Sequence, residues 1–385
     1  INAFAMPGGF IGVHTGLILA AESESELAGV VAHEISHVTQ RHIARQVYQS
    51  KQIGMASMLA MGLALLAARS NAQLAGAAIA TTQAGAASAQ LAFSRDFERE
   101  ADRLGFDIMR RSGLDVRGMS LFFTRLQKAT RLYENNATAY LRTHPLTVER
   151  LSDMQNREHD LPYRQVVDSI DFQLVKAKLR AMLGTPGEAI KDFNNLLTEK
   201  KYTAEAPTRF GLAFALYRAR DWAGAERELT AVRRSGVSAA MLERLAAETR
   251  LAQGDPVGGL KVYRDAMVRF PMSLGLLYGY GQALIATRQF DEALRFVETQ
   301  VANNPEDIRF RKMLAESHAG LGHQALQYRS MAEVFSLQGQ TADAIQQLEL
   351  AQKAGDANFY EMSGIDARLR ELKVRRMQEL KEKRK

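Results

Sequence analysis

The chain has 385 residues, 46% of them hydrophobic and 24% charged, with a formal net charge of +7. That length is more than one compact core serves, so two domains are expected, and the composition is that of an ordinary globular protein. There is no cysteine, which excludes disulfides, thiolate zinc sites and a cysteine nucleophile.

Runs rich in Ala, Leu, Arg, Glu and Gln predict a mostly helical protein. Residues 2–19 read as short strands. Asn2-Ala3-Phe4-Ala5-Met6 meets the turn signal Pro7-Gly8-Gly9, and Phe10-Ile11-Gly12-Val13 follows as a second strand. The chain opens on Ile1, inside a strand pattern, so further residues upstream are expected. Ser23-x-x-Glu26 is a capping box for a helix running to about Gln46, with Leu27, Val30, Val31, Ile35 and Val38 on its buried stripe.

Gly54–Ala68 is fifteen residues without a charge, and a stretch of Ala, Gly, Ser, Thr and Gln follows it. It is shorter than the roughly 18–20 apolar residues that span a bilayer. Residues 53–92 therefore read as a buried or hairpin helical insertion, with a segment that lies on a membrane or covers a site as the alternative. Helix resumes over 94–128, broken at Ser112-Gly113. A further break comes at Thr143-His144-Pro145, and Asn156–Tyr163 reads as a linker.

Beyond about Val166 a turn followed by a small residue recurs. The small residues Ala189, Ala225, Gly259 and Ala293 are spaced 36, 34 and 34 apart. A period near 34 with paired helices is that of the tetratricopeptide repeat, whose concave face holds a partner. Later turns at Gly322–Ala325 and Gln340–Ala344 depart from the period as an irregular cap would. The basic end, from Arg368 to Lys385, reads as a solvated helix or a contact for an anionic surface. Nucleic acid is not expected as a partner, since no recognition motif accompanies the charge.

The chemistry centres on His33-Glu34-Ile35-Ser36-His37, an HExxH pattern on a helix. Positions i and i+4 lie about 40° apart, so both imidazoles can share one metal, and Glu34 reaches its water. A catalytic zinc needs a third protein ligand and an open position. Glu98-Arg99-Glu100-Ala101-Asp102 can supply it. Glu98 and Asp102 share a face, one to take the metal and the other to accept an N–H from a ligating histidine, while Glu100 points about 160° away. His42 sits about 140° from His37 on a continuous helix. It reads as a surface or packing residue, with a supporting role behind the ligands as the alternative. His14, His159, His318 and His323 read as structural or exposed.

Together, Asn2-Ala3-Phe4-x-x-Pro7-Gly8-Gly9, the HExxH helix, Glu98-x-x-x-Asp102 and Thr143-His144-Pro145 resemble the HtpX/Ste-type zinc metallopeptidases. The repeats that follow make the whole chain similar to the BepA (YfgC) branch of that family, periplasmic proteases and chaperone-like factors of outer-membrane protein assembly. The resemblance implies a mainly α (α+β) fold: a zincin-like metallopeptidase domain with a small sheet at residues 1–160, then an α-solenoid of tetratricopeptide repeats at 166–385. It implies one zinc ion on His33, His37 and Glu98, Glu34 as catalytic base, and Asp102 orienting a zinc histidine. It also implies His144 as a fourth ligand that closes the site at rest, and an arginine at Arg150 that either stabilises the oxyanion or braces the site, unless it is a simple ion pair.

The expected activity is endoproteolysis of misfolded outer-membrane proteins in the periplasm. The barrel-assembly machinery and the lipopolysaccharide translocon are partners implied by the resemblance, with peripheral membrane contact. An extended substrate would add to the strand at Asn2–Met6. The rival readings are a repeat-based assembly factor that does little proteolysis, and an integral-membrane HtpX-like stress protease.

Overall fold

The computed structural model describes residues 1–67, 72–132, 140–141, 143–159, 161 and 164–382. The chain divides into two compact units, Ile1–Arg180 and Ala181–Lys385.

The first unit opens with an antiparallel hairpin of β1 (Ala3–Met6) and β2 (Phe10–Val13), in the register Ala3↔Val13 to Met6↔Phe10. Gly8 and Gly9 make its turn with φ of 92° and 87°, values that only glycine adopts without strain. The strand pattern then stops early. Thr15–Ala20 is a helix, α1, with Leu17 buried in the core. Its apolar run is too short for periodicity to separate helix from strand.

Helix α2 spans Glu24–Thr39. Ser23 caps it by accepting from the Glu26 amide at 3.2 Å. The Glu26 carboxylate accepts from the Glu22 amide at 2.6 Å and meets Arg125, so the reciprocal half of the expected box lands one residue upstream. The helix does not run on to Gln46. Arg41 takes a left-handed φ of 53°, and a new helix, α3 (His42–Ala67), starts at the next residue.

Helix α4 (Ala72–Ser112) packs on both α3 and α2, and α5 (Arg117–Leu132) packs on α2. Two contacts set how close these helices lie. A Cβ on Gly105 of α4 would meet the His33 backbone nitrogen at 3.2 Å, and one on Gly29 of α2 would meet the Met119 Cα of α5 at 2.8 Å. The core beside them gathers Val30, Met119, Phe122, Phe123, Tyr140 and Met154.

Among the described residues α3 and α4 pair, and Met55, Met58 and Leu59 on α3 are exposed; residues 68–71 of the expected insertion lie outside the described residues. No described helix is long and apolar enough to cross a membrane. Residues 156–159, read as linker from the sequence, are the last turn of α6 (Val148–His159), while Pro162 and Tyr163 fall outside the described residues. Residues leading into α7 (Ile170–Ala181) join the first unit through polar contacts at the start of α2. The Glu24 amide donates to Asp168 at 2.7 Å, and the Ser169 amide donates to the Glu24 carboxylate at 2.7 Å.

The second unit is a helical solenoid. The first helices of successive pairs, Glu205–Arg218, Ala240–Ala252, Leu274–Ala286 and Ile308–Gly320, touch one another in sequence as well as their own partners. The recurring turns open the second helices at Pro186, Trp222, Pro256 and Phe290. Thr185, Asp221 and Asp255 cap three of them by accepting from the amides of Glu188, Gly224 and Gly258. Ala189, Ala225, Gly259 and Ala293 are all buried, which is why the period falls on small side chains. His318 is buried as well. Ile365, Leu369 and Leu372 dock the last helix, Phe359–Glu382, on the preceding ones.

Gly29→Ala tests the closest of these approaches. Alanine gains about 1 kcal/mol of helix propensity, but overpacking against backbone costs about 1–3 kcal/mol. A net loss of stability of the first unit is expected in a urea titration, and a stabilised variant would contradict the packing.

Candidate metal centre

On α2, His33 and His37 stand one helical turn apart and project together, with their Nε2 atoms 3.0 Å from each other. Glu98 reaches them from α4, its Oε2 3.4 Å from His33 Nε2 and its Oε1 3.4 Å from His37 Nε2. His144, in the turn before α6, brings its Nδ1 to 3.3 Å from His33 Nε2 and 3.1 Å from Glu98 Oε1. One donor atom from each of these four residues lies within 4.8 Å of every other, and all four residues are buried.

Imidazole nitrogens that face each other this closely repel unless a proton or a cation lies between them. With metal–nitrogen distances of 2.0–2.1 Å, donors around a tetrahedral ion stand about 3.3–3.4 Å apart. The spacings of 3.0–3.4 Å are of that size, so the donor set fits a divalent cation.

The surrounding charges point the same way. Burial opposes a charge on His33, but the Asp102 and Glu98 carboxylates override it and push its pKa up to about 10. Burial would also raise Glu98, yet contacts with His144, His33 and His37 hold it well below the usual carboxylate range. The carboxylates around His33 thus favour positive charge at its ring.

Asp102 sits one turn beyond Glu98, with Oδ1 3.0 Å from His33 Nδ1, off the ideal hydrogen-bond direction. Its carboxylate accepts from Arg150 at both oxygens, at 2.6 and 2.7 Å. Despite burial, these contacts with Arg150 and His33 keep it ionised to lower pH than usual. The buried Arg150 also donates to the Pro145 carbonyl at 2.6 Å and lies 3.0 Å from Glu98 Oε2. Its guanidinium is thus engaged on the side of α4 and the His144 turn.

Glu34 is fully buried, and neither carboxylate oxygen has a hydrogen-bond partner among the described residues. Its Oε1 is 3.4 Å from His144 Nε2. It lines a cavity of about 220 Å³ together with Phe4 and Ala5 of β1, His37, Glu98 and His144. A buried carboxylate with open valences on a cavity wall can take a proton from a molecule held there.

Two residues that pattern reading passes over also stand here. Tyr140 stacks on His144 at 4.6 Å, its hydroxyl buried without a hydrogen-bond partner and its pKa driven up by burial and by Glu34. Its place one helical turn before His144 was the available signal. His42, read as a surface or packing residue, is buried against His37 and Glu100, because the chain reverses at Arg41. His14 and His159 belong to no part of the cluster.

Comparison with known proteins follows this division. A family model described as peptidase family M48 matches residues 1–158, and a tetratricopeptide-repeat model matches residues 250–316. The chain is 32% identical over 379 residues to the putative beta-barrel assembly-enhancing protease of Vibrio cholerae serotype O1, covering 98% of this chain and 78% of that protein. It is 30% identical over 378 residues to the beta-barrel assembly-enhancing protease of Escherichia coli strain K12, covering 97% and 76%. The mitochondrial metalloendopeptidase OMA1 of Schizosaccharomyces pombe is 28% identical over 165 residues, 43% of this chain and 45% of that one.

Asp102→Asn removes the charge behind His33 with little change of shape. Divalent-ion affinity, measured by chelator competition, is expected to fall about 10–100-fold. Unaltered affinity would detach Asp102 from the centre.

Proposed function

Since the chain belongs to peptidase family M48 and is a metalloendopeptidase, we propose that its ion is zinc, held by His33, His37 and Glu98, and that Glu34 is its general base. The observation that carries this reading is the convergence of those buried donors beside a carboxylate whose oxygens have no hydrogen-bond partner among the described residues. A divalent ion there supplies Lewis acidity to the scissile carbonyl and acidifies an attacking water.

The chain's own residues do the rest. An extended peptide lies along β1, where Phe4 and Ala5 border the cavity and main-chain hydrogen bonds bind it with little regard to sequence. Glu34 accepts the water's proton at a carboxylate oxygen and returns it to the departing amine. Asp102 holds His33 with Nδ1 as donor and Nε2 turned to the cluster. Arg150 braces that carboxylate and the turn at Pro145, the second of the roles its position suggests.

His144 would supply a fourth donor, and with four protein donors a tetrahedral ion would keep no open position for water or substrate. His144 acts as a gate. Its turn swings out before cleavage, and the enzyme rests closed. Such an enzyme suits conditional proteolysis. The repeats hold outer-membrane protein clients in the periplasm, in company with the barrel-assembly machinery and the lipopolysaccharide translocon, and misassembled clients are cut. The names of the full-length relatives and the repeat unit support this reading. The closed site also suits a factor that assists assembly without cutting, as the second reading.

Glu34→Gln separates binding from chemistry. The variant is expected to keep its zinc and its helical spectrum while losing cleavage of an unfolded protein substrate by at least about 100-fold. Full activity in it would dismiss Glu34 as the base. In His144→Ala, cleavage of the same substrate and of the chain itself is expected to rise. A fall would instead assign His144 to stabilising the transition state.

A further inference from the structure

His42 lies just past the metal-binding helix, where a continuous helix would turn it about 140° from His37. The left-handed Arg41 ends that helix, with its amide on the Val38 carbonyl at 3.0 Å, and starts the next, its own carbonyl accepting from Arg45 at 3.0 Å. The reversal brings the His42 ring back to 4.9 Å from the His37 ring. His42 Nδ1 then stands 2.9 Å from His37 Nδ1, and His42 Nε2 stands 3.1 Å from Glu100 Oε2. Arg45 holds the same Glu100 oxygen at 2.8 Å, and the His42 ring stacks on Phe97 at 4.7 Å. Only 2% of His42 is exposed.

With the His42 ring neutral, one assignment of protons satisfies every contact in this row. A carboxylate only accepts, so His42 Nε2 carries the hydrogen that goes to Glu100. The neutral ring then has a lone pair at Nδ1, and the proton between the two Nδ1 atoms belongs to His37. With Nδ1–H placed there, the lone pair of His37 is at Nε2, the atom that faces Glu98 and His33. We infer that His42, set by Glu100, is the positioning residue that fixes the tautomer and ring plane of His37 for metal binding. It does for His37 what Asp102 does for His33, from the opposite wall and through a neutral acceptor in place of a charged one. The inference rests on His37 binding the ion through Nε2.

The test compares zinc affinity, by chelator competition, in the full chain and in His42→Phe, His42→Asn and Glu100→Gln. Phenylalanine keeps the stack on Phe97 but offers no acceptor, and affinity is expected to fall about 10–100-fold. Asparagine places its Oδ1 where Nδ1 stood and is expected to restore most of the loss. Glutamine at position 100 keeps an amide oxygen for the N–H of His42 and the guanidinium of Arg45 but removes the charge, and is expected to weaken zinc binding less than His42→Phe. Histidine side-chain ¹⁵N spectra of the zinc-free protein report the tautomer directly. They are expected to show His37 protonated at Nδ1 in the wild type and mixed in His42→Phe. Wild-type zinc binding with an undiminished His42→Phe and Glu100→Gln would overturn the role of His42 alone. A wild type that binds no zinc would overturn the metal assignment and this inference with it.

Discussion

Four buried donors meeting at one point is the constraint on which the rest of the first unit turns. Lone pairs 3.0–3.4 Å apart and sealed from water are tolerable only around positive charge. The surrounding helices are arranged to keep them so. Gly105 lets α4 lie against the backbone of His33, and from that distance both Glu98 and Asp102 reach α2. Gly29 lets α5 close the other side, where Met119 and Phe123 exclude water.

Each histidine on α2 is then held from behind by a different device. His33 faces a carboxylate that is itself gripped by a buried guanidinium. His37 faces a second imidazole, tied to a carboxylate nearer the surface. A histidine that binds a metal would need such support, because an imidazole free to rotate or change tautomer loses its directional lone pair. The lining of the centre therefore comes from five separate stretches of chain: β1, α2, the start of α3, α4 and the His144 turn.

What could be read from the sequence followed from local periodicity. An HExxH pair on an amphipathic helix, a carboxylate pair one turn apart and a repeat of about 34 residues are all short-range patterns, and the helices that realise them lie where expected. The misreadings came where one residue reset the direction of the chain. At Arg41 a single left-handed φ reversed the side on which His42 falls, and no turn residue such as Gly or Asn announced it. Thr15–Ala20 is apolar all round, so nothing in it distinguishes strand from helix. Tyr140 becomes visible only once His144 is seen beside it, since stacking partners carry no mark in sequence.

The Arg150 guanidinium has one further implication. It holds the Asp102 carboxylate behind His33 and the Pro145 carbonyl beside His144, and lies 3.0 Å from Glu98 Oε2. Were the turn to withdraw, as the proposed gate requires, Arg150 would lose that carbonyl while keeping Glu98 3.0 Å away, and a hydrogen bond from a charged group contributes about 1.5–3 kcal/mol. The two sides of the cluster thus share one side chain, and under the proposed gating that contact would favour the closed arrangement by a factor of about 10–150. A carbonyl oxygen arriving to take the vacated place would offset that loss, so under the same proposal occupancy of the cleft and release of the turn would favour one another.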